Sequence, residues 1–355
     1  QEQLIDKDLP DLREYAQLQF DFALAKGRGR YVCKAKLVAV VEQLNSGFET
    51  MPLYPDEVMA GAEDAARALG RQLLDALEQG DWDGDRDHWS GPMEHRAWQP
   101  LTSDHAQCTG RRCTYVNECA YFAAREGMES ASCVVANHDL VLADLSLGGG
   151  VILPTPEDTI YVFDEAHQLA EKAQQHFGCR VRLAATSRWL DQLIRGLPSL
   201  AGAFGGDSLC SGLLDRALPM LGSLRAAVED CRHTCLGLLE AEAQAPAEQQ
   251  VLRFPLGELP DLLGEHAHVV GFEADRLVQL FDTLCARFDD IARGDVPGAE
   301  LEATEQWYAV LGQIARRLAE ISALAAAFNP VLFDAESPQA RWLGTRQVNA
   351  GVELE

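Results

Sequence analysis

Three cysteines within a run of twelve residues, Cys108, Cys113 and Cys119 in CTGRRCTYVNEC, constrain this chain more than any other feature. They are spaced C-x4-C-x5-C, and Cys33 stands 75 residues upstream of the first, in GRGRYVCKAK. One distant and three local thiolates drawn together make a four-sulfur site, which suits Zn²⁺ or an iron–sulfur cluster. Zinc ligands usually come in pairs two to four residues apart, a pattern that the C-x5-C step leaves. A cubane cluster is larger and tolerates wider loops. Tyr31, Val32, Tyr115, Tyr121 and Phe122 flank the cysteines as an apolar, aromatic shell. The bland reading, four partly buried thiols, does not explain three cysteines interleaved with Arg and Asn.

The bulk numbers set the frame. At 355 residues, 47% of them hydrophobic, the chain is long enough for two or three domains with packed cores. No apolar run reaches the length of a membrane span. The first residues, QEQLIDKDLPDLREY, are charged and lack the apolar stretch of a signal peptide. They do not begin with Met, so a piece of a longer protein is expected. Ten cysteines are too few for a disulfide scaffold. A cytoplasmic location is the default expectation, and clustered thiols there read as metal ligands.

Net charge is -25, from 55 acids against 30 bases, which by itself speaks against nucleic-acid binding. The distribution speaks the other way. Residues 26–36 carry five bases and no acid, whereas acids concentrate over 37–104 and 181–340. A locally basic path on an acidic body suits a channel for a single strand. The plainer reading is a solvated acidic surface.

Along the chain, residues 1–25 read as helix-rich with a strand approaching Cys33. Residues 58–79 have helical spacing, and QGDWDGDRDHWSGP (79–92) is a punctuated loop. A short helix leaves the cysteine cluster over 113–130. SCVVANHDLVLADL (132–145) begins as a strand, and LGGGVILPTPEDT (147–159) is a connector. Ile160–Phe163 reads as a short buried strand, β-branched and aromatic. From about 180 the texture becomes long amphipathic stretches, 185–196, 208–241, 259–293 and 299–328, separated near 241–250 and 293–300. These predict an all-helical bundle. ARWLGTRQV (340–348) returns to strand texture.

The apolar run 160–163 ends in Asp164-Glu165-Ala166-His167. A parallel strand that ends in two carboxylates places them at the sheet edge where α/β proteins bind ligands. In nucleotide hydrolysis one acid holds Mg²⁺ and a second polarises water, roles that Asp164 and Glu165 fit. His167 would relay contact with phosphate to another motif. Asp-Glu also suits an ordinary helix N-terminus, so four residues alone are weak. No G-x-x-x-x-G-K-[ST] loop occurs in the chain, and Gly148-Gly149-Gly150 is not followed by Lys-Ser/Thr.

Taken together, GRGRYVC, CTGRRCTYVNECAYF, VVANHDLVLADL and VFDEAHQL resemble the DinG family, bacterial superfamily 2 DNA helicases related to XPD; a YoaA-type paralogue carries similar cysteines. The resemblance runs through nearly the whole chain in order. It implies an α/β plus all-α fold: part of a RecA-like motor domain with an inserted iron–sulfur domain and a helical arch. By that mapping 1–25 and 130–179 belong to the first motor, 26–129 to the iron–sulfur domain, 180–338 to the arch, and 339–355 return to the motor. It implies that Cys33, Cys108, Cys113 and Cys119 ligate a 4Fe–4S cluster, and that Asp164, Glu165 and His167 belong to helicase motif II. It further implies ATP and Mg²⁺, 5′-to-3′ movement on single-stranded DNA, and opening of forked duplexes, D-loops and R-loops. The expected protein is monomeric, makes no membrane contact and sits in the cytoplasm on the nucleoid, with single-strand-binding protein as a candidate partner. Without a phosphate loop or second motor, this chain alone is expected to be inactive as an ATPase.

Within that frame Lys26, Arg28, Arg30, Lys34 and Lys36 are candidates for backbone phosphates, and Tyr31 and Tyr115 for stacking on bases. Packing beside the cluster is an equal reading of both tyrosines. Two other functions stay open at the sequence level: a noncatalytic iron–sulfur redox or DNA-binding module, and a zinc-stabilised interaction protein. Cys133, Cys179, Cys210, Cys231, Cys235 and Cys285 read as core thiols.

Overall fold

The computed structural model describes residues 3–42, 62–104, 107–108, 110–203, 207–242, 251–293, 295–296, 301–328, 340–348 and 351–354. The chain divides into two compact units. The first comprises Gln1–Glu42, Glu63–His105 and Gly110–Gly178; the second comprises Gln43–Ala62, Ala106–Thr109 and Cys179–Glu355. No described helix is long and apolar enough to cross a membrane.

The first unit contains α1 (Leu9–Tyr15), β1 (Phe22–Leu24), α2 (Lys34–Glu42), α3 (Ala62–Gln79), the single turn α4 (His95–Trp98), α5 (Ala120–Glu129), β2 (Cys133–Val135), α6 (His138–Ser146) and α7 (Leu169–Phe177). β1 and β2 pair in parallel, with Phe22 opposite Cys133 and Leu24 opposite Val135. Residues 25–132 therefore leave and rejoin one small sheet at adjacent points. That excursion has its own core of Val32, Leu37, Leu69, Leu73, Trp82, Ala97, Trp98 and Leu101. The i, i+4 spacing of Leu69 and Leu73 puts both on the inner stripe of α3. Both buried indoles find acceptors: Trp82 donates to the Asp85 carbonyl at 2.7 Å and Trp98 to the Gly29 carbonyl at 2.9 Å.

The supposed connector 147–159 folds around one side chain. Asp144, fully buried on α6, accepts hydrogen bonds from the backbone amides of Gly150, Val151, Ile152 and Leu153 at 2.6–3.3 Å. Gly148, Gly149 and Gly150 all have positive φ, which lets the chain wrap that tightly. Burial alone would raise the Asp144 carboxyl, but the four amides outweigh it and hold the group below the ordinary carboxylate range.

Residues 160–163 correct the sequence reading. They belong to no strand, and Ile160 and Val162 are 92% and 89% exposed. An apolar strand of this kind is buried only when neighbours cover both faces. Among the described residues β1 and β2 pair only with each other, and neither is extended by 160–163. Tyr161 and Phe163 instead stack on one side, centroids 6.1 Å apart.

The second unit is the expected bundle: α8 (Leu183–Ala203), α9 (Ser208–Glu242), α10 (Asp261–Ala292) and α11 (Leu301–Ala327), each packed on the next. Its core runs through Trp189, Leu193, Leu214, Leu221, Phe281, Phe288 and Leu318. Asp207 caps α9, accepting from the Cys210 amide at 2.8 Å, and is held by Arg287 of α10 at 2.6 Å. An antiparallel sheet is ordered β3 (Val251–Phe254), β4 (Arg341–Val348), β5 (Gly351–Leu354). The strand texture at 340–348 is thus β4, and it pairs with β3 inside this helical unit. Buried Arg341 donates to the carbonyls of Ala327 and Gly257, tying the end of α11 to the turn after β3. The expected separators at 243–250 and 297–300, helical residues 58–61, and 329–338 lie outside the described residues.

Candidate functional site

Two groups of residues carry chemistry in the first unit. One is the acidic turn at 164–167. After residues 160–163, Glu165 takes a left-handed conformation (φ 51°), and the Asp164 carboxylate accepts from the Glu165 amide at 2.9 Å. The chain then enters a short 3₁₀ turn, Ala166–Gln168, that leads into α7. A left-handed non-glycine residue is a strained state found preferentially at functional sites. Here it leaves both carboxylates open to solvent, with the His167 ring 3.2 Å from Glu165.

Residues 137–139 organise that turn. The Asn137 side chain caps α6 by accepting from the Leu140 amide at 2.8 Å. His138 Nε2 lies 2.9 Å from the Asp164 carbonyl, and Asp139 pairs with Lys172 of α7 at 2.7 Å. Three consecutive residues thus fix a helix start, the acidic turn and the following helix. Asp144, three residues after Val141 on the same helix, anchors the loop leading toward the turn. Sequence reasoning passed over it; the signal was a carboxylate on an apolar helix just before three glycines.

The second group is the cysteine region. Cys33 immediately precedes α2, its carbonyl accepting from Leu37 at 2.8 Å, and its amide donates to the Leu101 carbonyl at 2.8 Å. Cys113 and Cys119 bound a tight loop: the Cys113 amide donates to Gly110, the Val116 amide to Cys113, and Cys119 is the N-cap of α5. Two of the sulfurs therefore stand at helix starts, where the aligned amides favour negative charge. Lys34 joins the two segments: its ammonium pairs with Glu118 and lies 5.6 Å from the Tyr115 ring centroid. Cys108 lies in Ala106–Thr109, the short stretch that groups with the second unit. None of the ten cysteines is in a disulfide.

Among the described residues no three His, Cys, Asp or Glu side chains gather closely enough to hold one metal ion. A cubane takes one thiolate at each iron and spreads its ligands over its corners, so sulfurs on separated turns match it in kind. The donor set is all thiol, the chemistry that iron–sulfur clusters and thiolate zinc sites share.

The basic residues of 26–36 are placed differently from a free phosphate-binding strip. Lys26 pairs with Asp85 at 2.6 Å and Asp87 at 2.9 Å, Arg30 with Asp87, and Lys34 with Glu118. The loop that supplies these aspartates lies alongside, through bridges between Tyr31 and Asp85 and between the Val32 amide and Gly84. Burial works against the charge on Lys26, yet Asp85 and Asp87 outweigh it and raise its pKa; Asp87 is lowered in return. Arg28 lies over the Tyr121 ring, 4.4 Å from its centroid. Lys36 follows on α2 and is half-buried. Tyr31 is 6% exposed, edge-on to Tyr121, and burial pushes its hydroxyl up to about 12. Tyr115 is half-buried beneath Lys34.

Comparisons with known proteins agree on one relationship. The family model named DEAD_2 matches residues 103–184, which include three of the four cysteines and the acidic turn. The ATP-dependent DNA helicase DinG of Photobacterium profundum is 31% identical over 356 residues, covering 99% of this chain and 48% of that protein. The chain belongs to the DinG family. DinG of Escherichia coli K12 is 34% identical over 174 residues, 49% of this chain and 24% of that protein. DinG of Salmonella typhimurium is 33% identical over 186 residues, 52% and 26% respectively. This DinG-family chain spans about half the length of the Photobacterium relative. The DEAD_2 match of this DinG-family chain thus includes the part of the first unit that 137–139 and Asp144 hold together.

Proposed function

We propose that this chain is the part of an ATP-dependent DNA helicase that carries a 4Fe–4S cluster, the Mg²⁺-binding acidic motif and a helical arch. The observation that carries the reading is the exposed Asp164–Glu165 turn, braced by His138, within a chain that aligns along 99% of its length with one DinG helicase. Asp164 is the carboxylate that would hold Mg²⁺, and Glu165 the one that would orient and deprotonate the attacking water. When bound, Mg²⁺ offsets charge on the ATP phosphates. His167, 3.2 Å from Glu165, sets that carboxylate's direction. Cys33, Cys108, Cys113 and Cys119 would hold the cluster, whose role is to stiffen the excursion 25–132.

In the full-length helicase the substrate is single-stranded DNA, entered from forks, D-loops or R-loops, with 5′-to-3′ movement. The protein works as a cytoplasmic, nucleoid-associated monomer, with single-strand-binding protein as a partner. The ion pairs of Lys26, Arg30 and Lys34 move the expected phosphate contacts of this segment away from those three side chains. Because the chain has no phosphate loop, it should bind or cleave ATP only within the longer protein. Glu165→Gln in the full-length protein tests the reading. DNA-stimulated ATP hydrolysis should fall by about 10²-fold or more, the scale of losing a positioned acid–base group. A full-length protein without DNA-stimulated turnover, or one indifferent to this substitution, would contradict it.

A further inference from the structure

We propose that Lys34 and Glu118 are positioning residues for the iron–sulfur cluster, a charged clasp that draws the Cys33 turn against the Cys113–Cys119 loop. The inference rests on the 4Fe–4S reading above. Lys34 follows Cys33 directly, Glu118 precedes Cys119 directly, and Tyr115 stands two residues after Cys113. One ammonium touches the last two: it pairs with Glu118 and sits over the Tyr115 ring. The pair spans 84 residues of chain, and Lys34 is only 16% exposed. Glu118 is 60% exposed, and an ion pair this open to water adds little to overall stability. Its effect is local: it ties two ligand-bearing segments together and carries one positive and one negative charge next in sequence to Cys33 and Cys119.

The charges make the idea separable from a purely structural role. A four-thiolate cubane is negatively charged, and each added electron makes it more so. Lys34 therefore favours the reduced form and Glu118 opposes it. Removing one should lower the cluster's midpoint potential, and removing the other should raise it. Partners just outside the ligand shell commonly change metal affinity by about 10- to 100-fold when lost.

The test uses the whole chain purified without oxygen, with iron and acid-labile sulfide assayed and the cluster titrated by electron paramagnetic resonance. Lys34→Met should lose iron to a chelator about tenfold faster than the wild type and shift the potential down. Glu118→Gln should shift it up, and Lys34→Arg should restore both properties. The exchange Lys34→Glu with Glu118→Lys should hold more iron than either single reversal. Should Lys34→Met fail to fold, the exposed Glu118→Gln carries the same test through its potential. A loaded wild type whose variants keep iron and potential unchanged, or shift in the same direction, overturns the clasp alone. A wild type with no iron or sulfide overturns the cluster reading and the clasp with it.

Discussion

At the scale of single residues, the chain is held by carboxylates that sequence inspection treats as solvent-facing. Asp144 is the clearest case: four amides converge on a side chain with no exposure. Asp144→Ala would leave those donors without an acceptor, at about 1–3 kcal/mol for each one that water cannot reach. The expected result is loss of hydrogen-exchange protection at residues 150–153 and cleavage of the 147–158 loop by protease; unchanged protection would contradict it. The same group predicts a pH dependence. Its folded pKa lies below its unfolded value, so its contribution is complete above the ordinary carboxylate range and is lost as pH falls through the folded value. Asp87, lowered by Lys26, adds in the same direction. Stability should therefore fall on acidification below about pH 4, and Asp144→Asn should flatten that fall in urea titrations. Lys26 makes the converse point. Its five-base neighbourhood reads as a phosphate strip, yet its side chain and that of Asp85 are only 12% and 8% exposed. Lys26→Met should cost about 3 kcal/mol, the scale of stranding a buried charge. It should leave the salt dependence of single-stranded DNA binding unchanged in the full-length protein, whereas loss of a phosphate contact would reduce the log–log slope by about 0.7.

At the scale of elements, local period was legible and tertiary partnership was not. The spacing of apolar residues over 185–328 gave three of the four helices of the second unit close to their observed limits, while the first, expected over 185–196, runs on to Ala203. Cys210, Cys231 and Cys235 are core thiols there, as their spacing on apolar helix faces suggested. Ile160–Phe163 failed for the complementary reason: its composition reports the burial of a central strand, and composition cannot say which strand covers it. The loop 79–92 was recognised as a loop, but not as the counterpart of the basic segment 26–36. Pairing of Asp85 and Asp87 with Lys26 and Arg30 depends on contacts made nearly sixty residues apart in sequence. Gly84 shows how tightly the loop is seated. With φ at 87°, an added Cβ would stand 2.5 Å from the Ala120 Cβ, directly after Cys119. Gly84→Ala should cost about 1–3 kcal/mol from overpacking and a strained backbone, seen as an earlier urea transition of the first unit. No shift would mean that the loop is not seated against the start of α5.

At the scale of the whole molecule, the motifs spoke before the architecture did. Four cysteines and an acidic turn pointed to the DinG family, and identity along 99% of the chain with a DinG helicase places it there. The parallel pairing of β1 with β2 gives that pattern a physical form, since Cys33, Cys113 and Cys119 all lie on the excursion between those strands. Three of the five bases in the basic segment 26–36 are paired with acids of the same unit, so net charge alone says little about where that segment is free to act. The cluster is tested most directly by the composition of the chain purified without oxygen. A brown protein with a broad visible absorption, about four irons and four sulfides per chain, and bleaching in Cys113→Ser are expected. A colourless protein with one zinc would contradict the cluster assignment and favour a zinc-stabilised interaction module in its place.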